Sequence, residues 1–236
     1  MSTPVLSLLL ADARTPSGGY AHSGGLEGAV AAGLRAADVR AFVSARLRTV
    51  AAVDASFAAA ACGDERESAG PTDRRIHARL ALDAELAART PARPQRLAMR
   101  AVGRGLLRVG RMLWADDPLL AAYARASEWT PRPVVLGLLA AAGGLTPVEA
   151  ARLTLYEDAA GVAAAAVKLL PLDAAETTAW LASLAGEIEA GAATAARAAA
   201  DAAAAGSPAA LPATATPALD LLSLTHHESE GKLFVS

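Results

Sequence analysis

The chain holds one cysteine, Cys62, so no disulfide can form within it, and a reducing compartment suits it. Lysine is nearly missing: among 22 basic residues only Lys168 and Lys232 are lysine, and the rest are arginine. Abundant alanine and arginine with scarce lysine reflect a GC-rich genome, so the arginine excess carries little functional weight. Aromatics make up only 4% of the residues. A sandwich or barrel would need Val, Ile, Thr and aromatics at alternating positions, so this composition favours a compact helical bundle over either. The net charge of −2 lacks the basic footprint that general nucleic-acid binding needs. No run approaches the roughly 18 apolar residues of a membrane span. The apolar run Val5–Ala11 stops at Asp12 and follows no cationic leader, so a signal peptide is not expected and the cytoplasm is the expected compartment.

What is present is alanine, the main part of a 53% hydrophobic composition. Alanine has the best helix propensity but fills little volume, so helices built from it must approach closely. A chain of 236 residues buries enough surface to fold without staples. The pattern predicts an all-α fold, a compact single-domain bundle of about nine to ten helices over residues 1–236, ending in a tail at 226–236. Asp38 is the expected N-cap of a helix reaching Cys62. Gly63 to Pro71 reads as an exposed turn, and helix follows from Thr72 to Arg89, broken by Pro91 and Pro94. Val102, Leu106, Val109 and Leu113 recur at helical spacing, with Arg96, Arg100, Arg104, Arg108 and Arg111 on the far side. Thr146-Pro147-Val148-Glu149 has the capping-box arrangement and starts a helix running to Leu170. Asp173 to Glu176 starts an alanine-rich helix to Ala205. A last helix spans Ala218 to Thr225.

Motifs of chemistry are scarce. Ser23-Gly24-Gly25-Leu26-Glu27-Gly28 has no preceding strand and no Gly-Lys-Ser/Thr after it, so it is not a phosphate loop. No Gly-x-Ser-x-Gly elbow marks a nucleophile, and a helical enzyme would need a polar pocket that the sequence does not locate. His22, His77, His226 and His227 show neither HxxxH nor CxxC spacing. His22, His226 and His227 are nonetheless the candidates for a nickel site, set against a solvated polar tail. The arginine stripe reads first as a solvated helix face, and otherwise as a surface for phosphates or an acidic partner. Lys168 lies in an apolar run, where it must snorkel or meet a partner, although the helix dipole alone accounts for it. Leu233-Phe234-Val235 beside Lys232 should dock on its own domain or on another protein.

Three segments together resemble the UreF family of urease accessory proteins. Leu8 to Glu27, with Pro16-Ser17-Gly18-Gly19 and Ser23-Gly24-Gly25-Leu26-Glu27, is similar to the family's N-terminal signature. Pro133 to Leu172 is similar to its central helix pair and Pro-Leu turn. Pro217 to Ser236 is similar to its last helix and Arg-Leu-Phe-x-Ser tail. The chain departs from the family at Gly19-Tyr20-Ala21-His22-Ser23, where an aromatic stretch is common. It departs also near Asp158 and Asp173, where Asn and Gln are common, and at Lys232, which replaces the bidentate arginine.

The resemblance implies a non-catalytic, dimer-forming scaffold without a cofactor. It would bridge a UreD/UreH-like accessory protein to a UreG-like GTPase, modulate GTP hydrolysis and couple it to nickel insertion into the urease apoprotein. No nucleic acid and no membrane are expected as partners. The alternative is a metallochaperone binding nickel through the C-terminal histidines. The expected partner-binding residues are Pro16, Gly18, Gly19, Tyr20, His22, Ser23, Gly24, Gly25 and Glu27 in the entry turn, Lys168, and His226, Lys232, Leu233 and Phe234 in the tail.

Overall fold

An alanine-rich helix can be apolar all round, and such a helix is stable only when neighbours surround it. That is the situation of Val50–Cys62, where Ala51, Val53, Ala55, Phe57, Ala58, Ala59, Ala61 and Cys62 are all buried. The computed structural model describes residues 3–63, 71–228 and 232–235. Most of the expected turn from Gly63 to Pro71 lies outside them. The helices in chain order are α1 (Thr3–Ala11), α2 (Leu26–Ala31), α3 (Val39–Arg48), α4 (Val50–Cys62), α5 (Thr72–Ala88) and α6 (Arg93–Leu113). Then follow α7 (Pro118–Ala126), α8 (Arg132–Ala142), α9 (Pro147–Leu169), α10 (Ala174–Ser183), α11 (Ala185–Ala204) and α12 (Pro217–Glu228). The described residues contain no strand, and the fold is all-α.

Helix α4 is the central post, packed against α8, α9 and α11. Its two sides feed two apolar clusters. One gathers Phe57 with Leu6, Leu106, Leu120, Leu136 and Leu139. The other gathers Ala51, Ala55 and Ala59 with Leu26, Val43, Leu155, Ile188 and Phe234. Small residues set the spacing: a Cβ on Gly137 of α8 would lie 2.2 Å from the Ala58 carbonyl oxygen of α4. Backbone meets backbone there. The buried Arg79 of α5 donates from Nε and Nη2 to the Ala61 carbonyl at 3.2 and 2.9 Å, satisfying an acceptor that the end of α4 leaves open.

Two of the expected helix starts hold. Thr146 and Glu149 form the reciprocal cap, with the Thr146 N–H donating to Glu149 Oε2 at 2.7 Å and the Glu149 N–H donating to Thr146 Oγ1 at 3.4 Å. Asp173 Oδ1 accepts the Ala175 N–H at 2.8 Å. Other boundaries differ. The expected Asp38–Cys62 helix breaks at Thr49, whose φ of −123° and ψ of −104° are not helical. The Asp38 carboxylate does not cap α3; it accepts the Arg35 N–H at 3.3 Å across a short 3-10 turn, Ala36–Asp38. The expected 173–205 helix turns at Leu184, giving α10 and α11. The buried stripe of α6 is Val102, Gly103, Leu106, Leu107 and Gly110, while Leu113 is 43% exposed. The last helix reaches Glu228, so His226 and His227 ride on its final turn. The described tail is then 232–235.

Candidate functional site

The entry turn is built by the elements beneath it. Thr15 Oγ1 donates to the Leu9 carbonyl at 2.6 Å and closes the end of α1. The next residues cross α6 at Gly105, where a Cβ would stand 2.5 Å from the Ser17 carbonyl oxygen. Only glycine lets the turn lie so close. Gly18 and Gly25 both have φ +85° and Gly24 has φ +63°, backbone that L side chains rarely adopt, so turn-making accounts for these three. Gly19 has no such φ. Ser23 is fully buried, and its Oγ accepts the Glu27 N–H at 3.2 Å, starting α2.

A buried ionic frame holds this turn. Arg46 of α3 donates to Asp158 of α9 through Nε at 3.0 Å and Nη2 at 2.5 Å, a bidentate fork. Its remaining Nη1 donates to the Gly24 carbonyl at 2.6 Å. Arg132 of α8 pairs with Glu157 of α9 at 2.6 Å. Both pairs are largely shielded from water, which makes losing one partner costly. Asp54 of α4 sits by both arginines. Burial pushes its carboxyl up to about 7, outweighing the pull of Arg132 and Arg46. His22 is shifted below its usual range, first by burial and then by the Arg132 charge, which favours a neutral ring.

Glu27, on the first turn of α2, joins the entry turn to the last helix and the tail, which the sequence marks separately. Its Oε2 accepts from His226 Nε2 at 2.7 Å and from the Phe234 N–H at 3.0 Å, while Oε1 accepts the Leu233 N–H at 2.7 Å. Burial alone would raise this carboxyl, but those hydrogen bonds prevail and hold it below its ordinary value. The Val235 N–H donates to the Ala21 carbonyl at 2.8 Å. Phe234 is 5% exposed and enters the apolar cluster around Leu26. Over its ring stands Lys168, with Nζ 5.3 Å from the centroid. That cation–π contact answers where the lysine of an apolar run goes. Lys232 Nζ donates to the His227 carbonyl at 3.0 Å and covers the end of α12.

The expected residues thus divide into a buried set and an outward set. Ser23, His226 and Phe234 are buried, and Glu27 is largely so. Pro16, Gly19, Lys168, His227 and Lys232 are exposed, Tyr20 is 69% exposed and Leu233 is 70% exposed. His22, His226 and His227 do not gather: among the described residues no group of three or more His, Cys, Asp or Glu side chains could hold a metal ion. His226 Nε2 is committed to Glu27. Cys62 is buried, with its thiol donating to the Leu145 carbonyl at 3.3 Å and pushed up to about 12 by burial. Sequence reasoning passed over Arg46, Arg132 and Glu157. Asp54 did leave a signal, as a lone carboxylate inside the apolar run Val50–Cys62.

Chemically the arrangement is a clasp. It offers a fixed polar and aromatic surface, and the fold and site define an all-α protein whose marked surface is made by its entry turn and its tail. Two comparisons identify that kind of protein further. The UreF family model matches residues 34–185. The chain is 38% identical over 240 residues to the urease accessory protein UreF of Mycolicibacterium vanbaalenii, covering all of both chains. It is 37% identical over 239 residues to that of Mycobacterium sp. strain JLS and 36% identical over 241 residues to that of Mycobacterium tuberculosis H37Rv, again over the full lengths. The chain belongs to the UreF family. No helix among the described residues is long and apolar enough to cross a membrane.

Proposed function

We propose that this chain acts in urease maturation as a non-catalytic scaffold, with residues 1–236 working as one unit in the cytoplasm. It bridges a UreD/UreH-like accessory protein and a UreG-like GTPase, and modulates GTP hydrolysis so that hydrolysis accompanies nickel insertion into the urease apoprotein. Nickel is cargo in this reading. A homodimer is the working form.

The observation that carries the reading is the Glu27 clasp. A carboxylate that accepts from His226, Leu233 and Phe234 fixes the tail against the entry turn. With the tail docked, Tyr20, Lys168, Lys232, Leu233 and Val235 are exposed. Aromatic, aliphatic and cationic side chains on a pre-ordered backbone are what a protein interface uses, because little conformational entropy remains to be lost on binding. In this reading the tail meets the UreD/UreH-like protein and Lys168 faces the GTPase.

The test is a pull-down of the purified chain against the neighbouring urease accessory proteins, with and without GTP. The scaffold retains the UreD/UreH-like protein in both conditions and the GTPase in a nucleotide-dependent manner. Deleting Gly231–Ser236 abolishes binary complex formation with helicity unchanged. Binding that survives this deletion overturns the assignment of the tail. One tight nickel site per chain, lost on His226→Ala with His227→Ala, would replace the scaffold reading with that of a metallochaperone.

A further inference from the structure

A groove of about 540 Å³ lies on another face, between α5, the N-terminal half of α6 and the connection from α7 to α8. It shares no residue with the turn–tail clasp. Its floor is apolar: Leu80 and Ala84 from α5, Leu97 from α6 and the Trp129 ring. Leu97 is 44% exposed, a large apolar side chain left in water. Trp129 is held in place by its Nε1–H, which donates to the Arg96 carbonyl at 3.1 Å.

The rim of this groove is cationic. Arg93 and Arg100 are exposed, and neither has a carboxylate partner among the described residues. Arg96 donates through Nη1 to the Thr90 and Pro91 carbonyls at 2.6 and 2.7 Å, so its guanidinium is anchored with its charge uncancelled. The two acids that border the groove do not balance this. Asp83 is buried and turned inward, accepting from Tyr123 Oη at 2.8 Å and Ser127 Oγ at 2.5 Å. Glu128 is exposed on the opposite wall.

The spacing then specifies a ligand. Arg93, Leu97 and Arg100 stand at i, i+4 and i+7, one above another on a single helix face. Cation, apolar contact and cation in a row match a segment presenting acid, apolar side chain and acid at the same period. We infer that this groove docks an acidic amphipathic helix of a protein partner, its carboxylates meeting Arg93 and Arg100 and its apolar face lying on Leu97 and Trp129. A phosphate backbone fits less well, since it offers nothing to the apolar floor of Leu80, Leu97 and Trp129.

The experiment uses the full chain and a labelled synthetic amphipathic peptide with glutamates flanking a leucine face at helical spacing, followed by fluorescence anisotropy. Peptides with glutamine or lysine in place of glutamate, and a short DNA duplex, serve as competing probes. The glutamate peptide binds, and Arg93→Glu or Arg100→Glu weakens it by about tenfold or more. Arg108→Glu, farther along the same stripe, changes affinity by less than about twofold. Circular dichroism confirms that each variant stays helical. Equal binding of the glutamine peptide, an equal loss with Arg108→Glu, tighter binding of the duplex, or no binding of the glutamate peptide overturns the inference.

Discussion

Replacing Glu27 by alanine removes one acceptor group and leaves three donors without a partner: His226 Nε2 and the Leu233 and Phe234 amides. Hydrogen bonds to a charged group contribute about 1.5–3 kcal/mol each. The sum overstates the loss, because the two amides lie near the surface and water can replace the carboxylate. A net loss of about 2–4 kcal/mol in tail docking is the reasonable magnitude. Phe234 keeps its burial, worth roughly 1.5–3 kcal/mol, and its contact with Lys168. The cost of ordering the last residues nearly cancels that remainder. The assay is hydrogen exchange of the Leu233, Phe234 and Val235 amides. At about 1.4 kcal/mol per tenfold, exchange rises by about 30- to 1000-fold in Glu27→Ala, while amides of α4 keep their protection. Glu27→Gln retains one oxygen and falls between. Unchanged exchange of the tail amides in Glu27→Ala refutes the reasoning, because Phe234 would then hold the tail alone. The same carboxyl gives a pH dependence. Its folded value is depressed below the ordinary 4.5, so its contribution is complete above 4.5 and disappears as pH falls through the lower folded value.

Gly137→Ala places a Cβ against the Ala58 carbonyl, where only backbone can yield, so it costs about 1–3 kcal/mol and lowers the thermal midpoint. A midpoint equal to that of the parent removes the close α4–α8 contact from the account. Asp54→Asn acts in the opposite direction. Because the Asp54 carboxyl is raised from 3.8 to about 7, ionising it costs stability progressively across that interval. The amide variant is therefore more stable than the parent above pH 7, by on the order of 1–3 kcal/mol, and gains nothing near pH 3; urea unfolding at the two pH values decides it. For Lys168 and Phe234, a double-mutant cycle to alanine read on tail exchange gives a coupling of about 0.5–1 kcal/mol. Additive effects would mean that the ring and the ammonium are only neighbours.

The parts of the fold that were legible rest on short range. The Thr146–Glu149 cap spans three residues, and its pattern is readable because donor and acceptor lie on one helical turn. The breaks at Thr49 and Leu184 are not readable, since neither falls on a proline or glycine. The site shows the same division. Entry turn, Lys168 and tail each stand out as an oddity of composition, but the contact that unites turn and tail joins Glu27 to Leu233 across 206 positions, and Lys168 meets the tail only through the Phe234 ring. No periodicity reports such a pairing. Likewise, Arg46 is one of 20 arginines that could have faced Asp158. The last helix runs one turn beyond its expected end, which moves His226 from a solvated tail into the clasp.

The most direct measurement is the affinity of a purified UreD/UreH-like partner for the parent chain and for Glu27→Ala, with helicity checked in parallel. If a tail fixed by Glu27 makes the docking surface, the variant keeps its helices and binds at least about tenfold more weakly, since the tail must then be ordered at the moment of binding. Equal affinity in the two proteins contradicts the account.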